Sequence, residues 1–255
     1  MIRSSHVGRA RNGGLSLNMF APEEIEEVHL TTLEVLERTG IYFEDEAALD
    51  VLADGRCAVD RETHMVRIPP HVVEDAIRSA PSRLCLAGRD PARDHVVEGS
   101  RLGFTSFGEG ILIVDPRNGE LREPTKADVG DAARICDFLE SVDVYERAIG
   151  ASDVPQEVGQ LHNAEATFAN TTKHVFLGPF SGYLLTKIVD LVSVIAGGRD
   201  KLRRRPLVSF ITCPVSPLRM ARDTCEIIMG AAREGLCCNI LSMAMAGGSS
   251  PVTLA

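Results

Sequence analysis

The sequence predicts an α/β protein: a partial (β/α)8 TIM barrel of about four to five βα units, preceded by an N-terminal α+β extension. Three observations predict it. From about residue 125 onward, short continuously apolar runs alternate with amphipathic helical stretches. Those runs begin near residues 142, 173, 207 and 237, so they lie 31, 34 and 30 residues apart. Before residue 125 the rhythm differs, with short runs separated by turn residues and no repeat. Strands that are apolar on both faces, each followed by a helix, imply a parallel sheet covered on both sides. Right-handed crossovers then leave a doubly wound sheet or a closed barrel. Neither GxGxxG nor GxxxxGK[ST] is present, and Gly108-Glu109-Gly110 is only a GxG ahead of a strand. That favours the barrel over a nucleotide-binding sheet.

Taken in order, residues 1–20 carry Arg3, Arg9, Arg11 and Gly13-Gly14 without an acid, and read as a flexible or docking arm. The extension spans residues 21–124. Pro22 opens a helix with Ile25, Val28, Leu33 and Leu36 on one stripe. Glu23, Glu24, Glu26 and Glu27 crowd its start, where the helix dipole favours acids, and Gly40 stops it. A second helix covers about 45–53. Met65–Ile68 alternates as a strand before Pro69-Pro70, and 71–79 is helical. Short strands follow at 83–87, 95–98 and 102–107. Residues 111–114 and 120–122 are joined by Asp115-Pro116-Arg117-Asn118-Gly119, a hairpin connection.

The barrel half is assigned to 125–255. Thr125 and Asp128 form a box-like N-cap for a helix to about Leu139. Strands at 142–149, 173–177, 207–212 and 237–242 alternate with helices at 155–170, 182–196 and 217–234. Ser250 and Pro251 then open a helix that is cut after one turn. A half-barrel leaves two sheet edges open, so the expectation is a fragment of a longer protein, or a chain that assembles to close its sheet.

Composition narrows the partners. A formal net charge of −9 argues against a nucleic-acid binder, which carries a basic face. With no Trp and 5% aromatics, base-stacking platforms are not expected either. The N-terminus lacks the apolar run of a signal peptide. The most apolar stretch, 183–196, is broken by Lys187 and Asp190 and is shorter than the roughly 20 residues of a membrane span. Seven cysteines, an odd number, read as reduced and mostly buried residues rather than a disulfide framework. The expectation is a soluble cytoplasmic protein with no membrane and no nucleic-acid partner.

Several stretches carry a resemblance. LHNAEATFANTTKHVFLGPFSG (161–182), ITCPVSPL (211–218) and above all MAMAGGSSPVTLA (243–255) resemble the trimethylamine methyltransferase family. So do residues 29–60 and 66–81, and the similarity runs from about Arg9 to the last residue. The resemblance implies a (β/α)8 barrel with an N-terminal extension that forms homo-oligomers. It implies transfer of a methyl group from trimethylamine, glycine betaine or a related small methylated amine to the Co(I) of a corrinoid. That cobalamin-type cofactor is carried by a separate corrinoid protein and is not bound directly. Members continue far beyond this terminus, so the match covers only their N-terminal half, and the pyrrolysine of some members falls in the other half.

Demethylating a quaternary amine by a supernucleophile on another protein needs no general base. It needs a cation without N–H donors held by aromatic faces and carboxylates, aligned and kept dry. In a barrel that site sits at the C-terminal ends of the strands. Phe104, Phe107 and Glu109 in GFTSFGEG are candidates, as are Phe176, Phe180 and Tyr183 around Gly178-Pro179; ordinary packing is the competing reading for both groups. Gly247, Gly248 and Ser249 precede a helix N-terminus that would accept an anion, and a capped βα turn is the alternative. No catalytic residue and no metal site is assigned. His162 and Glu165 read as surface or helix-cap residues rather than a metal pair, Cys213 as a buried inert thiol at a strand end with a reactive thiol as the alternative, and Cys237-Cys238 as core. Arg199–Arg205 reads as a solvated loop, or a dock for an acidic partner. A different barrel enzyme, a lyase or aldolase, would need a positioned Lys, and Lys173 begins a strand, the wrong end. A third reading is a catalytically incomplete fragment that binds the corrinoid protein or nothing.

Overall fold

The computed structural model describes residues 20–99, 101–243, 245–248 and 252. They divide into two compact units, one of 83–211 with 230–239, the other of residues up to Ser82, 212–229 and those from Ile240 on. α1 (Pro22–Glu34) starts with Pro at its first position and Glu24 accepting a hydrogen bond from the Ala21 N–H. It continues through one π-helical turn, Val35–Thr39, to Gly40. There φ is 80° and a Cβ would lie 2.6 Å from the Val66 carbonyl oxygen, so only glycine fits. β1 (Ile41–Phe43) and α2 (Glu46–Asp54) follow, α2 being capped by Asp45 on the Ala48 N–H. β2 (Ala58–Asp60), β3 (Met65–Arg67) and α3 (Pro70–Ser79) complete this stretch, with β3 antiparallel to both β1 and β2.

In the other unit, β4 (Arg83–Leu86) and β5 (His95–Glu98) form an antiparallel hairpin around a 3-10 turn at Pro91–Arg93. A second hairpin joins β6 (Ile113–Val114) and β7 (Leu121–Arg122). α4 (Lys126–Phe138) begins with the reciprocal Thr125–Asp128 capping box, and Arg122 adds a two-pronged ion pair to Asp128. β8 (Val144–Glu146), α5 (Gly159–Asn170), β9 (His174–Leu177), α6 (Gly182–Ala196), α7 (Arg199–Arg204) and β10 (Val208–Thr212) then alternate. β8, β9 and β10 are parallel neighbours. The expected strand at 102–107 is present only as one parallel bridge, Thr105 to Val144 of β8; a second, Gly110 to Ile149, lies beyond both segments. The Arg199 run is helix rather than loop: Leu202 is buried, while Arg199 pairs with Asp190 and Glu234, and Arg205 forks onto Asp94.

The rest of the chain supplies β11 (Arg219–Met220), α8 (Arg222–Glu234) and β12 (Cys238–Ile240). β11 runs parallel to β1, a long-range pairing that the expected helix from residue 217 did not include. α8 therefore starts five residues later than expected. Phe43, Ala48, Leu49, Val66 and Cys225 form a core in the unit that holds β1. β12 takes its place beyond β10, so the sheet order is β12-β10-β9-β8.

Register fixes the two faces of the parallel sheet. Tyr145, Val175 and Val208 are in register in one row, Leu177 and Phe210 in the next, and all five are buried. α4 packs on β8 and α5 on β9. Full burial of each such side chain stabilises by about 1.5–3 kcal/mol. Side chains alternate along a strand, so the opposite face carries Glu146, Phe176, Ser209 and Ile211. Of these only Ser209 is buried; Glu146, Phe176 and Ile211 are partly exposed. The sheet is parallel and α/β, with one face closed and the other partly open.

Candidate active site

The partly open face has a closed lower end. His174, one step before Phe176 on that face, is fully buried. Its Nδ1 lies 3.1 Å from the carbonyl oxygens of Ala87 and Pro206, and its Nε2 lies 2.6 Å from Ser209 Oγ. Burial drives its pKa down to about 4, so the ring is neutral. A neutral ring that donates from Nδ1 to carbonyls accepts at Nε2 from the serine hydroxyl. Both groups are sealed from solvent, which makes them a floor rather than a hydrolytic pair. Lys173 beside it is buried too, its Nζ donating to the Cys136 and Leu139 carbonyls at the end of α4. It holds a helix end, which removes it as the base of a lyase-type site.

At the strands' C-terminal ends the loops are pinned by side-chain amides. Gln160 Nε2 donates to the Gly178 carbonyl and its Oε1 accepts from the Phe180 N–H, while Asn163 Oδ1 accepts from the Ala151 N–H. Between these loops lies a cleft of about 250 Å³ lined by Glu109, Arg147, Gln160, Asn163 and Phe180 among others. Arg147 is 6% exposed, and its Nη1 is 2.5 Å from Glu109 Oε1. A buried guanidinium requires such a partner. Gly150 lines the same wall: a Cβ there would lie 2.8 Å from Arg147 Nη1 and 3.0 Å from Glu109 Oε1.

Glu109 and Phe180 thus share one cleft, and Phe176 lies on the partly open sheet face. Phe104, Phe107 and Tyr183 are exposed and are not among the cleft's lining residues; Tyr183 stacks under Lys187, whose Nζ is 5.4 Å from the ring centre. Gly247, with φ 74°, and Gly248 belong to the other compact unit, and Ser249 lies outside the described residues. His162 and Glu165 both approach Lys126 Nζ, which donates to His162 Nδ1 at 3.1 Å and forms an ion pair with Glu165. Among the described residues no group of three or more His, Cys, Asp or Glu could hold a metal ion. Cys213 is exposed; Cys237 and Cys238 are partly buried, with burial pushing both thiols up, Cys238 to about 11. No helix among the described residues is long and apolar enough to cross a membrane.

Sequence reasoning missed Arg147 and Glu146. Their signal was present: two adjacent charges, Glu146 and Arg147, in the middle of the strand run VDVYERAIG, which also carries Asp143 near its start. Charges in a strand covered on both faces are rare unless paired or used.

The family model described as trimethylamine methyltransferase matches residues 3–255. The chain belongs to that family. It is 45% identical over 249 residues to a trimethylamine methyltransferase of Desulfitobacterium hafniense, an alignment covering 98% of this chain and 50% of the relative. A trimethylamine methyltransferase of Methanosarcina thermophila is 36% identical, with 95% of this chain and 51% of the relative covered. A glycine betaine methyltransferase of Desulfitobacterium hafniense is 25% identical over 93% of this chain and 49% of its own length. The chain spans about half the length of the curated relatives it matches.

Proposed function

We propose that this family member forms half of a (β/α)8 cylinder that transfers a methyl group from a small methylated amine to a corrinoid. The observation that carries the reading is the asymmetry of the parallel sheet. One face is buried under helices, while the other is closed at the His174 end and partly open from Glu146 and Phe176 onward. A cylinder completed by further βα units would turn that face into a lined pocket opening at the strands' C-terminal ends. The substrate class is supported by the similarity to relatives named as trimethylamine and glycine betaine methyltransferases.

The acceptor in this reading is the Co(I) of a corrinoid on a separate protein, which supplies the nucleophile. The C–N bond breaks with its electron pair left on nitrogen, so the transfer requires no proton acceptor from this chain. The chain's part is to hold the cation, orient one methyl outward and exclude water. The reading places the protein in the cytoplasm and in homo-oligomers.

The test mixes this chain, alone and together with the unmatched half of a relative, with reduced corrinoid protein and trimethylamine or glycine betaine. Corrinoid absorbance reports methylation, and proton NMR reports the demethylated amine. Product formed only in the completed mixture supports a half-cylinder methyltransferase. Corrinoid-protein binding without product from any methylated amine replaces it with a non-catalytic docking role.

A further inference from the structure

We propose that Glu146 and Phe176 form the ammonium-binding site, with the Glu146 carboxylate as the counter-charge and the Phe176 ring as one wall. This rests on the methylated-amine reading above and names the residues that would recognise the cation. Glu146 and Phe176 are in-register partners on adjacent parallel strands, so their side chains stand side by side on the same face of the sheet. The backbone beneath Glu146 is clamped from both sides by one hydroxyl: Ser106 Oγ donates to the Glu146 carbonyl at 2.5 Å and accepts from its N–H at 3.0 Å. The floor is the sealed His174–Ser209 pair, 2.6 Å apart, with Ser209 in register with Phe176.

The Glu146 carboxylate has no hydrogen-bond or ion-pair partner among the described residues. Burial alone raises its pKa from the ordinary value, with no neighbouring charge lowering it. A partly desolvated carboxylate without a partner is unfavourable in the empty protein, and that penalty is relieved when a cation arrives. A quaternary ammonium suits the place better than a metal ion or a guanidinium. It offers no N–H and asks for no ligand set, only a diffuse negative charge and aromatic surface. Glu109, the other acid nearby, is already committed to Arg147.

Gly108 gives the arrangement a second handle. A Cβ at that position would lie 2.9 Å from both Glu146 Cγ and Oε1, and 3.0 Å from the Arg147 carbonyl oxygen. An added methyl group would therefore push the carboxylate aside while leaving its charge in place. Gly108 is a positioning residue in this scheme, acting through Glu146.

The experiment is calorimetric titration of the 255-residue chain with tetramethylammonium, and with choline against its neutral isostere 3,3-dimethylbutan-1-ol. The wild-type chain is expected to bind both cations and to prefer choline over the isostere at least tenfold. Glu146→Gln, which keeps shape and removes charge, is expected to weaken cation binding on the order of tenfold or more and to abolish the preference. Phe176→Leu should weaken both choline and its isostere, and Gly108→Ala should weaken the cations with circular dichroism unchanged. Absence of cation binding by the wild-type chain, or an undiminished preference in Glu146→Gln, overturns the site. Methyl transfer by the completed cylinder with Glu146→Gln at wild-type KM would overturn it while leaving the methyltransferase reading intact. Wild-type cation binding without transfer from any methylated amine would instead fail that reading alone.

Discussion

His174 shows how a single residue can set the acid stability of a sheet. It is fully buried, and its folded-state pKa of about 4 lies well below the ordinary histidine value of 6.5. The unfolded chain therefore binds a proton over a pH range in which the folded chain does not. Stability from this residue is complete above pH 6.5 and falls as the pH drops towards 4. The loss amounts to about 3 kcal/mol across that window. Denaturant unfolding at pH 7.5, 6.0 and 5.0 should show this slope in the wild type. His174→Gln, less stable at pH 7.5 for want of one bond, should show a much flatter one. The carboxylate held low by Arg122, Asp128, loses its contribution only in stronger acid, so the two effects separate along the pH axis. Equal slopes in wild type and variant would show that His174 is not the group being titrated.

Helix α4 is secured at both ends, by devices of different strength. At its start Thr125 Oγ1 and Asp128 exchange the capping-box bonds at a partly exposed site. At its end the buried Lys173 Nζ reaches from β9 to the Cys136 and Leu139 carbonyls, with desolvation lowering its pKa from the usual lysine value. Thr125→Ala is expected to lose about 1 kcal/mol, a typical N-cap effect. Lys173→Met keeps the aliphatic stem but leaves two helix carbonyls without their ammonium, and should lose about 2–3 kcal/mol. Thermal unfolding of the two variants checks the ranking; a milder effect from Lys173→Met would mean that water replaces the ammonium. The first device was legible in the sequence because Thr125 and Asp128 lie three residues apart, and the second was not, because it joins residues 34 and 37 positions apart. The same divide runs through the fold. Apolar runs at a regular spacing marked β8, β9, β10 and β12, with α4 ahead of them and α5 and α6 between them. The six-residue α7 offers one buried Leu202 and four basic side chains, too little apolar periodicity to signal a helix. β11 joins a sheet through its pairing with β1, more than 170 residues away in sequence, and no local pattern announces that. In the candidate site, Glu109 and Phe180 were legible as an acid and an aromatic beside glycines. The Arg147 pairing that occupies Glu109 was not, since ion pairing is a property of the folded loops.

For the molecule as a whole, the exposed apolar surface of the 83–211 unit makes a quantitative demand. Large apolar side chains in the 83–211 unit are strongly exposed, Phe107 at 78%, Ile111 at 81% and Phe138 at 83%. Exposed apolar surface on this scale marks an interaction site more often than a finished exterior. The Desulfitobacterium hafniense relative has half its length beyond the matched region, and that remainder, made as a separate polypeptide, is the natural complement to try. If it completes the cylinder, association should bury at least the roughly 1,200–2,000 Å² of a stable interface. At a hundredfold excess over the dissociation constant such binding adds about 2.7 kcal/mol of stability. For a chain of this size that corresponds to a rise of about 5–10 °C in Tm. The complex should elute as one species in gel filtration, and the fluorescence of an apolar dye bound to the free chain should fall. A free chain that binds no dye, ignores the complement and unfolds at the same temperature would be a finished domain whose sheet face needs no cover. The half-cylinder would then have to be abandoned, although the family membership would stand.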